Sequence, residues 1–371
     1  MKLILAAVAL LGAGTLVGAG AMPATGVAVP TVTTCHRAPS PQAPYVAPGA
    51  LVAAQFVSSS TGWVVGANRV LATTDGGTHW VRQRSATGAD YTEVDAIDAA
   101  HAWVVGRHQL IATTDGGADW HSLPEPCPVI SSVHFISSSR GFAVAGGKVL
   151  RTSDAGRHWH PITAPARAQS VCFTAPKRGW LGAHGRIFRT VDGGRRWALA
   201  ASTGPVAKRP RNQPDAVVEC SGRHTGWAEF VGPGVASNQE EHVGFFLSDS
   251  GSRPIFAEQY FGNPHVRVTR NSPGAYFAAF SAVDPADAVF VDTCAPCGTG
   301  TSPVGIAEHD GTTFLRPGRV GHLNFALGAA FVSTTDGWVV GDVMHYRTGT
   351  ATWKIEHTAD GGKHWTTQYV E

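Results

Sequence analysis

Carboxylates outside the regular repeats of this sequence are the side chains best suited to acid–base chemistry. Glycoside hydrolysis needs one carboxylic acid with a raised pKa and one partner carboxylate, so two such residues at one site would suffice. The candidates are Glu93, Asp95, Glu219, Glu229, Glu240, Glu241, Asp284 and Asp287. Glu219 and Glu229 flank two predicted strands and are expected to face a central channel. Because carboxylates with ordinary pKa values mostly face solvent or cap turns, we assign no catalytic residue to this set.

The sequence lacks the usual motifs that hold a metal, a phosphate or a nucleophilic serine. Its 17 histidines include no His-Glu-x-x-His pair, and Glu240-Glu-His242 is an isolated cluster. His79, His158 and His364 stand beside a tryptophan in a repeated phrase, where a solvent-facing side chain is expected. The Gly-Gly pairs lie in predicted turns and no helix follows them. We therefore expect no metal, no cofactor and no catalytic site.

An eight-residue phrase recurs five times, with the pattern Thr, any residue, Asp, Gly or Ala, Gly, two variable residues, Trp. Its copies are Thr73–Trp80, Thr113–Trp120, Thr152–Trp159, Thr190–Trp197 and Thr358–Trp365. Glycine tolerates positive φ, and aspartate accepts hydrogen bonds from nearby backbone N–H groups, so the phrase predicts a hairpin turn. Its aspartates are therefore expected to serve the fold. They are Asp75, Asp115, Asp154, Asp192 and Asp360.

A second motif, a small residue followed by an aromatic one, precedes each phrase, as in Gly62-Trp63. The first unit is predicted to form strands at 52–57, 62–66, 70–74 and 79–83. Two degenerate units, with turns at Asp249–Gly251 and Asp310-Gly311, bring the number of units to seven. Residues 50–371 then give about 46 residues per unit, the size of a four-stranded propeller blade. The sequence predicts an all-β, seven-bladed propeller.

The Thr-x-Asp-x-Gly-x-x-Trp phrase resembles the Asp-box, or BNR repeat, of sialidases, sortilin-type receptors and the photosystem II assembly and stability factor family. Gly62-Trp63 followed by Val-Val-Gly and then the box most resembles the last of these. Units five and six depart from the pattern, with Leu247 and Pro254 at the Thr and Trp positions of unit five and Glu308 at the Thr position of unit six. The resemblance implies a non-catalytic propeller that binds a protein or glycan partner.

The alternative implied by the same boxes is an exo-acting, sialidase-like glycoside hydrolase. Sialidases carry a Phe/Tyr-Arg-Ile-Pro segment before the first box, three arginines for a carboxylate and a Tyr–Glu nucleophile pair. Only Arg37 and Arg69 precede Thr73, and the chain has six tyrosines. These departures favour a binding protein. A sortilin-like receptor is a third hypothesis, which predicts an anchor retained at residues 3–21.

The N-terminus indicates export. Residues 1–28 resemble a secretory signal with cleavage near residues 21–28, although an uncleaved anchor is the alternative. Residues 29–49 form a Pro- and Thr-rich arm. We expect a secreted, periplasmic or cell-envelope protein with no membrane span after cleavage. A net charge of +2 gives no case for a nucleic-acid partner, and Arg195-Arg196 is interpreted as solvated loop charge.

Six cysteines in an exported chain indicate disulfides. Cys294 and Cys297 are close enough in sequence for a local bridge. Cys172 and Cys220 lie on the predicted first strands of neighbouring units and point to opposite faces of their sheets, the parity that a bridge between blades needs. The same parity would also fit two outward faces, so their pairing stays open. By elimination, Cys35 would pair with Cys127.

The irregular units add length that a regular blade does not need, at residues 200–214, 233–242, 259–274 and 295–303. Loops on a rigid scaffold commonly carry binding residues. Aromatic and Arg side chains are the usual anchors of protein interfaces. The predicted partner-binding residues are Tyr260, Phe261, Arg267 and Arg270.

Overall fold

The computed structural model describes residues 49–126, 130–202, 215–232, 242–258, 276–293, 302–308, 313–321, 323–345 and 347–371. Within these ranges the regular secondary structure is entirely β-strand. None of the described segments forms a helix with the length and hydropathy needed to cross a bilayer. The predicted signal and all of the predicted arm except Gly49 lie outside the described residues.

The strands fall into seven consecutive groups of four, which we number as blades. Blade 1 contains β1 (Leu51–Phe56), β2 (Gly62–Gly66), β3 (Arg69–Thr73) and β4 (Val81–Ser85). Blade 2 contains β5 (Glu93–Ala96), β6 (Ala102–Gly106), β7 (Gln109–Thr113) and β8 (His121–Leu123). Blade 3 contains β9 (Ile130–Phe135), β10 (Gly141–Ala145), β11 (Lys148–Thr152) and β12 (His160–Ile162). Blade 4 contains β13 (Ala168–Ala175), β14 (Arg178–Ala183), β15 (Arg186–Thr190) and β16 (Ala198–Ser202).

The remaining blades include the irregular units. Blade 5 contains β17 (Asp215–Ser221), β18 (Thr225–Val231), β19 (His242–Ser248) and β20 (Gly251–Glu258). Blade 6 contains β21 (Tyr276–Ala282), β22 (Ala288–Thr293), β23 (Ser302–Glu308) and β24 (Thr313–Val320). Blade 7 contains β25 (Phe325–Phe331), β26 (Gly337–His345), β27 (Thr350–Thr358) and β28 (Thr366–Val370).

Each blade is an antiparallel sheet whose strands pair in the order of the sequence. The first strand of each blade contacts the first strand of the next, and β25 of blade 7 contacts β1 of blade 1, so the described sheets close a ring. The predicted all-β propeller is confirmed, and seven described sheets are consistent with the predicted seven blades.

The fourth strand of blade 1 begins later than the sequence predicts. β4 starts at Val81, whereas the prediction placed its start at His79. The cause is the box itself, because the His79 backbone N–H donates to Oδ1 of Asp75 over 2.9 Å. That bond keeps the chain in the turn through Trp80.

The Asp-box turn has the same hydrogen bonds in all five regular copies. In the first, Thr73 Oγ1 donates to Asp75 Oδ1 (2.9 Å) and accepts from the Gly77 N–H (2.8 Å). Asp75 Oδ1 also accepts from the N–H four residues later, which lowers the pKa of Asp75 to about 2. The box is therefore a self-contained turn whose Thr and Asp satisfy backbone donors that would otherwise lack a partner.

Removing one box hydroxyl is expected to destabilise its blade. Thr152 Oγ1 donates to Asp154 Oδ1 (2.8 Å) and accepts from the Gly156 N–H (3.0 Å). Thr152→Val leaves this buried N–H without an acceptor, which costs about 1–3 kcal/mol of unfolding free energy. Urea denaturation measures the change. Thr152→Ser keeps the hydroxyl and is the matched control, so equal loss in both variants would contradict the role of this bond.

Aromatic side chains fill the spaces between blades. At several seams the aromatic residue of a second strand stacks on a phenylalanine of the next blade. Trp103 stacks on Phe135, with ring centroids 3.6 Å apart, and the box residue Trp159 meets the edge of Phe135 at 6.1 Å. Five tryptophans of the second strands are almost completely buried: Trp63, Trp103, Trp180, Trp227 and Trp338. The hydrophobic core is thus divided among the seams of the ring.

A polar contact, which we call the inner clasp, also crosses most seams. In every blade, one position of the first strand lies six residues before the small residue that precedes the second-strand aromatic, as Phe56 does before Gly62. The clasp residue immediately precedes this position and contacts the equivalent position of the following blade. In four seams the clasp side chain accepts from a backbone N–H of the next blade: Gln55 Oε1 from Ala96 (2.9 Å), Asp95 Oδ2 from Phe135 (2.6 Å), Glu219 Oε2 from Ala282 (2.8 Å) and Ser281 Oγ from Phe331 (3.0 Å). In a fifth seam the direction is reversed, because His134 Nε2 donates to the Phe173 carbonyl (2.8 Å).

The remaining two seams differ from this hydrogen-bonded pattern. Between blades 4 and 5, a disulfide joins Cys172 to Cys220, the same two positions, with their Cα atoms 5.6 Å apart. Between blades 7 and 1 the clasp position is Ala330, whose side chain has no polar atom. That last seam is closed by the stack of Phe56 on Trp338, with centroids 3.5 Å apart, and by the Arg69–Glu371 ion pair (3.0 Å).

Candidate functional site

The ring has two chemically different faces. The turns between first and second strands and the box turns lie at the same end of each blade, and the Gly76 N–H donates to the Ser60 carbonyl to join them in blade 1 (2.9 Å). We call this end the box face. Equivalent bonds in blades 2, 3, 4 and 7 show that their turns are arranged alike. The opposite end, where blades are linked to each other, is the loop face.

Positive charge gathers on the box face of blades 3, 4 and 5. The described turns there carry six basic residues, all exposed: Arg140, Arg157, Lys177, Arg195, Arg196 and Arg223. The same turns carry three carboxylates: Asp154, Asp192 and Asp249. Arg178 and Arg189 add two further cations at the adjoining strand ends. We call this area the basic sector.

Blades 1, 2 and 7 have the opposite balance on the same face. Their described box-face turns contain six carboxylates: Asp75, Asp98, Asp115, Asp119, Asp336 and Asp360. The one lysine in these turns is Lys363. The small net charge of the chain therefore conceals a strong separation of charge across a single face.

A network centred on Asp249 joins blades 4 and 5 within the basic sector. Asp249 accepts hydrogen bonds from Arg178, from Arg189 Nη1 (3.0 Å) and from His224 Nδ1 (2.6 Å). Burial opposes the charge of this carboxyl, but the bond from His224 and the charges of the two arginines outweigh it and lower the pKa of Asp249. Two guanidinium groups share one carboxylate, so the network keeps an excess of positive charge.

A channel of about 680 Å³ passes through the ring and is lined by the first strands of all seven blades. Three of the predicted carboxylates line it, namely Glu93, Asp95 and Glu219. Burial is the main cause that raises the pKa of Glu93 to about 8 and that of Glu219 to about 7. Each carboxyl also holds the next blade, since Glu93 Oε1 accepts from Ser132 Oγ (3.2 Å) and the Val133 N–H (3.1 Å). These acids thus contribute to the seams.

The other predicted carboxylates do not join this group. Glu229 lies on β18 and is completely buried, so the expectation that it faces the channel is wrong. The reason is that side chains of a second strand point toward neighbouring blades. Asp284 caps its own turn by accepting from the Ala286 and Asp287 N–H groups (2.7 and 2.9 Å). Glu240 and Glu241 lie outside the described residues.

The five box aspartates lie one to a blade, around the box face. His79, His158 and His364 are exposed there, and each places Nδ1 2.6 Å from the carboxylate of its own box. Across the described residues, no group of three or more His, Cys, Asp or Glu side chains has the spacing of a metal site.

Two sets of predicted residues fall outside the described part of the chain. They are the partner-binding candidates Tyr260, Phe261, Arg267 and Arg270, and the cysteines Cys35, Cys127, Cys294 and Cys297. The strands that flank residues 259–275 end and begin at the loop face, at Glu258 and Tyr276.

The basic sector is the feature that sequence reasoning missed. Its members are spread from residue 140 to residue 223, and the Arg195-Arg196 pair by itself indicates only solvated loop charge. A signal was present in the repeat register, because Arg157, Arg195 and Arg196 occupy variable positions of successive boxes and therefore share one face.

Comparison with known proteins agrees with this architecture. Residues 47–166 match the family model of the photosynthesis system II assembly factor YCF48. Comparison with curated protein sequences gives no significant match. The boxes and the ring of four-stranded sheets define a propeller with BNR-type repeats, and the family match covers 120 of the 371 residues.

Among BNR-repeat propellers, the chain is similar to photosystem II assembly factors. A solved structure of YCF48 bound to D1 peptide is 16% identical over 78% of this chain and 89% of that chain, with a TM-score of 0.51. YCF48 from Cyanidioschyzon merolae is 15% identical over 78% of this chain and 92% of that one, with a TM-score of 0.52. The GH74 xyloglucanase from Xanthomonas campestris is 11% identical over 86% of this chain and 54% of that one, with a TM-score of 0.58. At these identities the likeness is one of fold.

Proposed function

We propose that this protein is an exported, non-catalytic propeller that binds an acidic segment of a protein partner on the basic sector. The observation that carries the proposal is the separation of charge on the box face, with arginines on blades 3–5 and carboxylates on blades 1, 2 and 7. Complementary charge of this kind steers association and fixes orientation. The YCF48 structure with D1 peptide supports a peptide segment as the ligand.

Both the chemistry and the shape of the basic sector suit a polypeptide. Arginine guanidinium groups bind carboxylates through paired N–H donors, and five of the six exposed cations lie on turns of blades 3 and 4, which have regular boxes. A nucleic acid would place its phosphates against the acidic half of the same face as well. A protein that presents acidic and basic groups in the complementary arrangement meets no such repulsion.

Glycoside hydrolysis is the weaker alternative. A carboxyl with a pKa near 8, such as Glu93, can serve as a general acid. However, the hydrogen bonds of Glu93, Asp95 and Glu219 to the next blade give these acids a structural role. Turnover of a fluorogenic sialoside or of a glucan by the purified protein would reverse this ranking.

Export is part of the proposal. The disulfide between Cys172 and Cys220 supports it, since such bonds form and persist mainly in oxidising compartments. The signal sequence predicted at residues 1–28 is the feature to test, and the N-terminal sequence of the mature protein would test it.

Charge reversal in the basic sector is expected to weaken binding at least tenfold. The variant is Arg195→Glu with Arg196→Glu, and the probe is a fluorescein-labelled peptide of alternating Glu and Gly, followed by fluorescence anisotropy. Arg107→Glu with Arg186→Glu is the matched control, because these two exposed arginines lie on the loop face. Salt should weaken wild-type binding, since exposed charges are screened.

A second arm of the experiment distinguishes the basic sector from the partner-binding residues predicted from the sequence. Replacing residues 259–274 by a short Gly-Ser linker removes those aromatic and Arg candidates. Binding that survives charge reversal but is lost with this replacement would place the ligand on residues 259–274 and contradict the basic sector.

A further inference from the structure

The seam between blades 4 and 5 is where the basic sector is assembled. Arg178 and Arg189 belong to blade 4, and Asp249, which binds both, belongs to blade 5. Nearer the channel, Thr174 Oγ1 of blade 4 donates to the Arg223 carbonyl of blade 5 (2.9 Å). The arrangement of cations therefore depends on how these two blades sit against each other.

The covalent inner clasp lies at this same seam. Cys172 stands two residues before Thr174, and Cys220 stands three residues before Arg223, so the disulfide is next to the turns of the basic sector. Farther toward the loop face, Ser170 Oγ donates to the Ala216 carbonyl (2.7 Å) and accepts from the Val218 N–H (3.0 Å). Toward the loop face the seam is held by the Ser170 hydrogen bonds, and toward the box face by the disulfide together with the Thr174–Arg223 bond and the exposed Asp249 network.

We infer that the Cys172–Cys220 disulfide makes partner binding redox-sensitive, because it holds the two halves of the basic sector in register. The inference rests on the proposed function of that sector. Reduction would remove the clasp from the box-face half alone. Only the Thr174–Arg223 bond and the exposed Asp249 ion pairs would then hold the box-face end, and exposed ion pairs stabilise little. Blades 4 and 5 would therefore loosen at that end, while the Ser170 bonds remain at the other, and Arg178 and Arg189 would lose their fixed positions beside Asp249.

The chemistry needs only a dithiol reductant. A dithiol transfers two electrons and two protons to the Cys172–Cys220 bond, which breaks into two thiols, and the dithiol is oxidised to its own disulfide. Both cysteines line the central channel, and although Cys172 is 2% exposed, Cys220 is partly exposed, which gives a small dithiol a route to the Cys220 sulfur. Two thiols are poor hydrogen-bonding groups and do not replace the clasp.

The inference is tested by measuring anisotropy of the labelled Glu/Gly peptide with oxidised and dithiol-reduced protein. Reduction is expected to weaken binding by the wild type about tenfold. The variant Cys172→Ala with Cys220→Ala should bind weakly with or without dithiol. Any dithiol effect that persists in this variant comes from the other cysteines. Equal affinity of oxidised and reduced wild type would overturn the inference.

A second variant keeps the test valid if loss of the disulfide unfolds the ring. Cys172→Gln with Cys220→Ala places a glutamine where Gln55 clasps the seam between blades 1 and 2. It is expected to bind as tightly as the oxidised wild type and to ignore dithiol. Binding as weak as that of the alanine variant would contradict a simple clasp. Failure of the proposed function is separate, since oxidised wild type would then not bind the peptide, or would bind it unaffected by Arg195→Glu with Arg196→Glu.

Discussion

Replacing Trp338 by alanine is expected to lower the free energy of unfolding by about 3–5 kcal/mol, the usual cost of removing a buried aromatic side chain. Trp338 is completely buried, stacks on Phe56 of blade 1 and donates from Nε1 to Gln368 Oε1 (3.0 Å). Its seam has Ala330 at the clasp position and so lacks the polar clasp, which leaves the inner strands dependent on the apolar packing around Trp338. Urea denaturation measures the loss, and amide hydrogen exchange in β1 and β25 shows where the ring opens.

Trp103→Ala is the matched control for this prediction. Trp103 is 1% exposed and stacks on Phe135 in the same geometry, so its removal loses similar packing. At that seam, however, Asp95 still accepts from the Phe135 N–H and Glu93 from the Val133 N–H. We expect similar destabilisation but slower exchange at the seam. Exchange in β1 that stays slow in Trp338→Ala would show that the closing seam has other support.

Stability is expected to fall as the pH rises from 5 to 9, and Glu93→Gln is expected to remove much of that slope. Burial raises the pKa of Glu93 to about 8, while the same carboxyl in the unfolded chain titrates near its ordinary value of 4.5. Between these values the folded state holds a proton that the unfolded state has released. Stability therefore decreases with rising pH across this window and levels off above pH 8. The effect is about 2–4 kcal/mol.

Unfolding midpoints in urea at intervals from pH 5 to 9 measure this dependence. Glu93→Gln should be more stable than wild type at pH 9 and nearly equal to it at pH 5. Glu219 contributes in the same direction over a narrower window, since its pKa is raised to about 7. Asp154→Asn is the control, because the pKa of Asp154 is shifted in the opposite direction from that of Glu93. The His158 N–H and the His158 ring lower the pKa of Asp154, and its negative charge stabilises the turn. That variant should lose stability at every pH tested without a change of slope.

Structural features that depend on contacts within one blade are predicted well from the sequence. The box turn depends on Thr, Asp and Gly a few residues apart, and the hydrogen bonds of Thr73, Asp75 and Gly77 follow from their spacing. In blades 1–4 the strand order follows in turn, because short hairpins leave no other pairing. The start of β4 was missed by two residues because the bond to the His79 N–H extends the turn.

Contacts between blades are far less visible in the sequence. The inner clasp occupies one position of the repeat but uses glutamine, aspartate, histidine, cysteine, glutamate and serine in successive blades. No residue type repeats, so no motif marks the position. Of these residues, only the cysteines suggest a partner from the sequence, because a disulfide bond needs a second cysteine. The basic sector was hidden for a similar reason, since it forms only when blades 3, 4 and 5 are side by side.

Every described sheet is built from one continuous stretch of chain, from β1–β4 in blade 1 to β25–β28 in blade 7. Among the described sheets, each contains four consecutive strands and none contains a strand from the segment of another blade. A blade is therefore a cassette in the literal sense, since a deletion or duplication of its segment removes or adds one whole sheet without cutting any other. The clasp contacts then determine which blades can be neighbours, and a transplanted blade must form a clasp with the blade on each side of it.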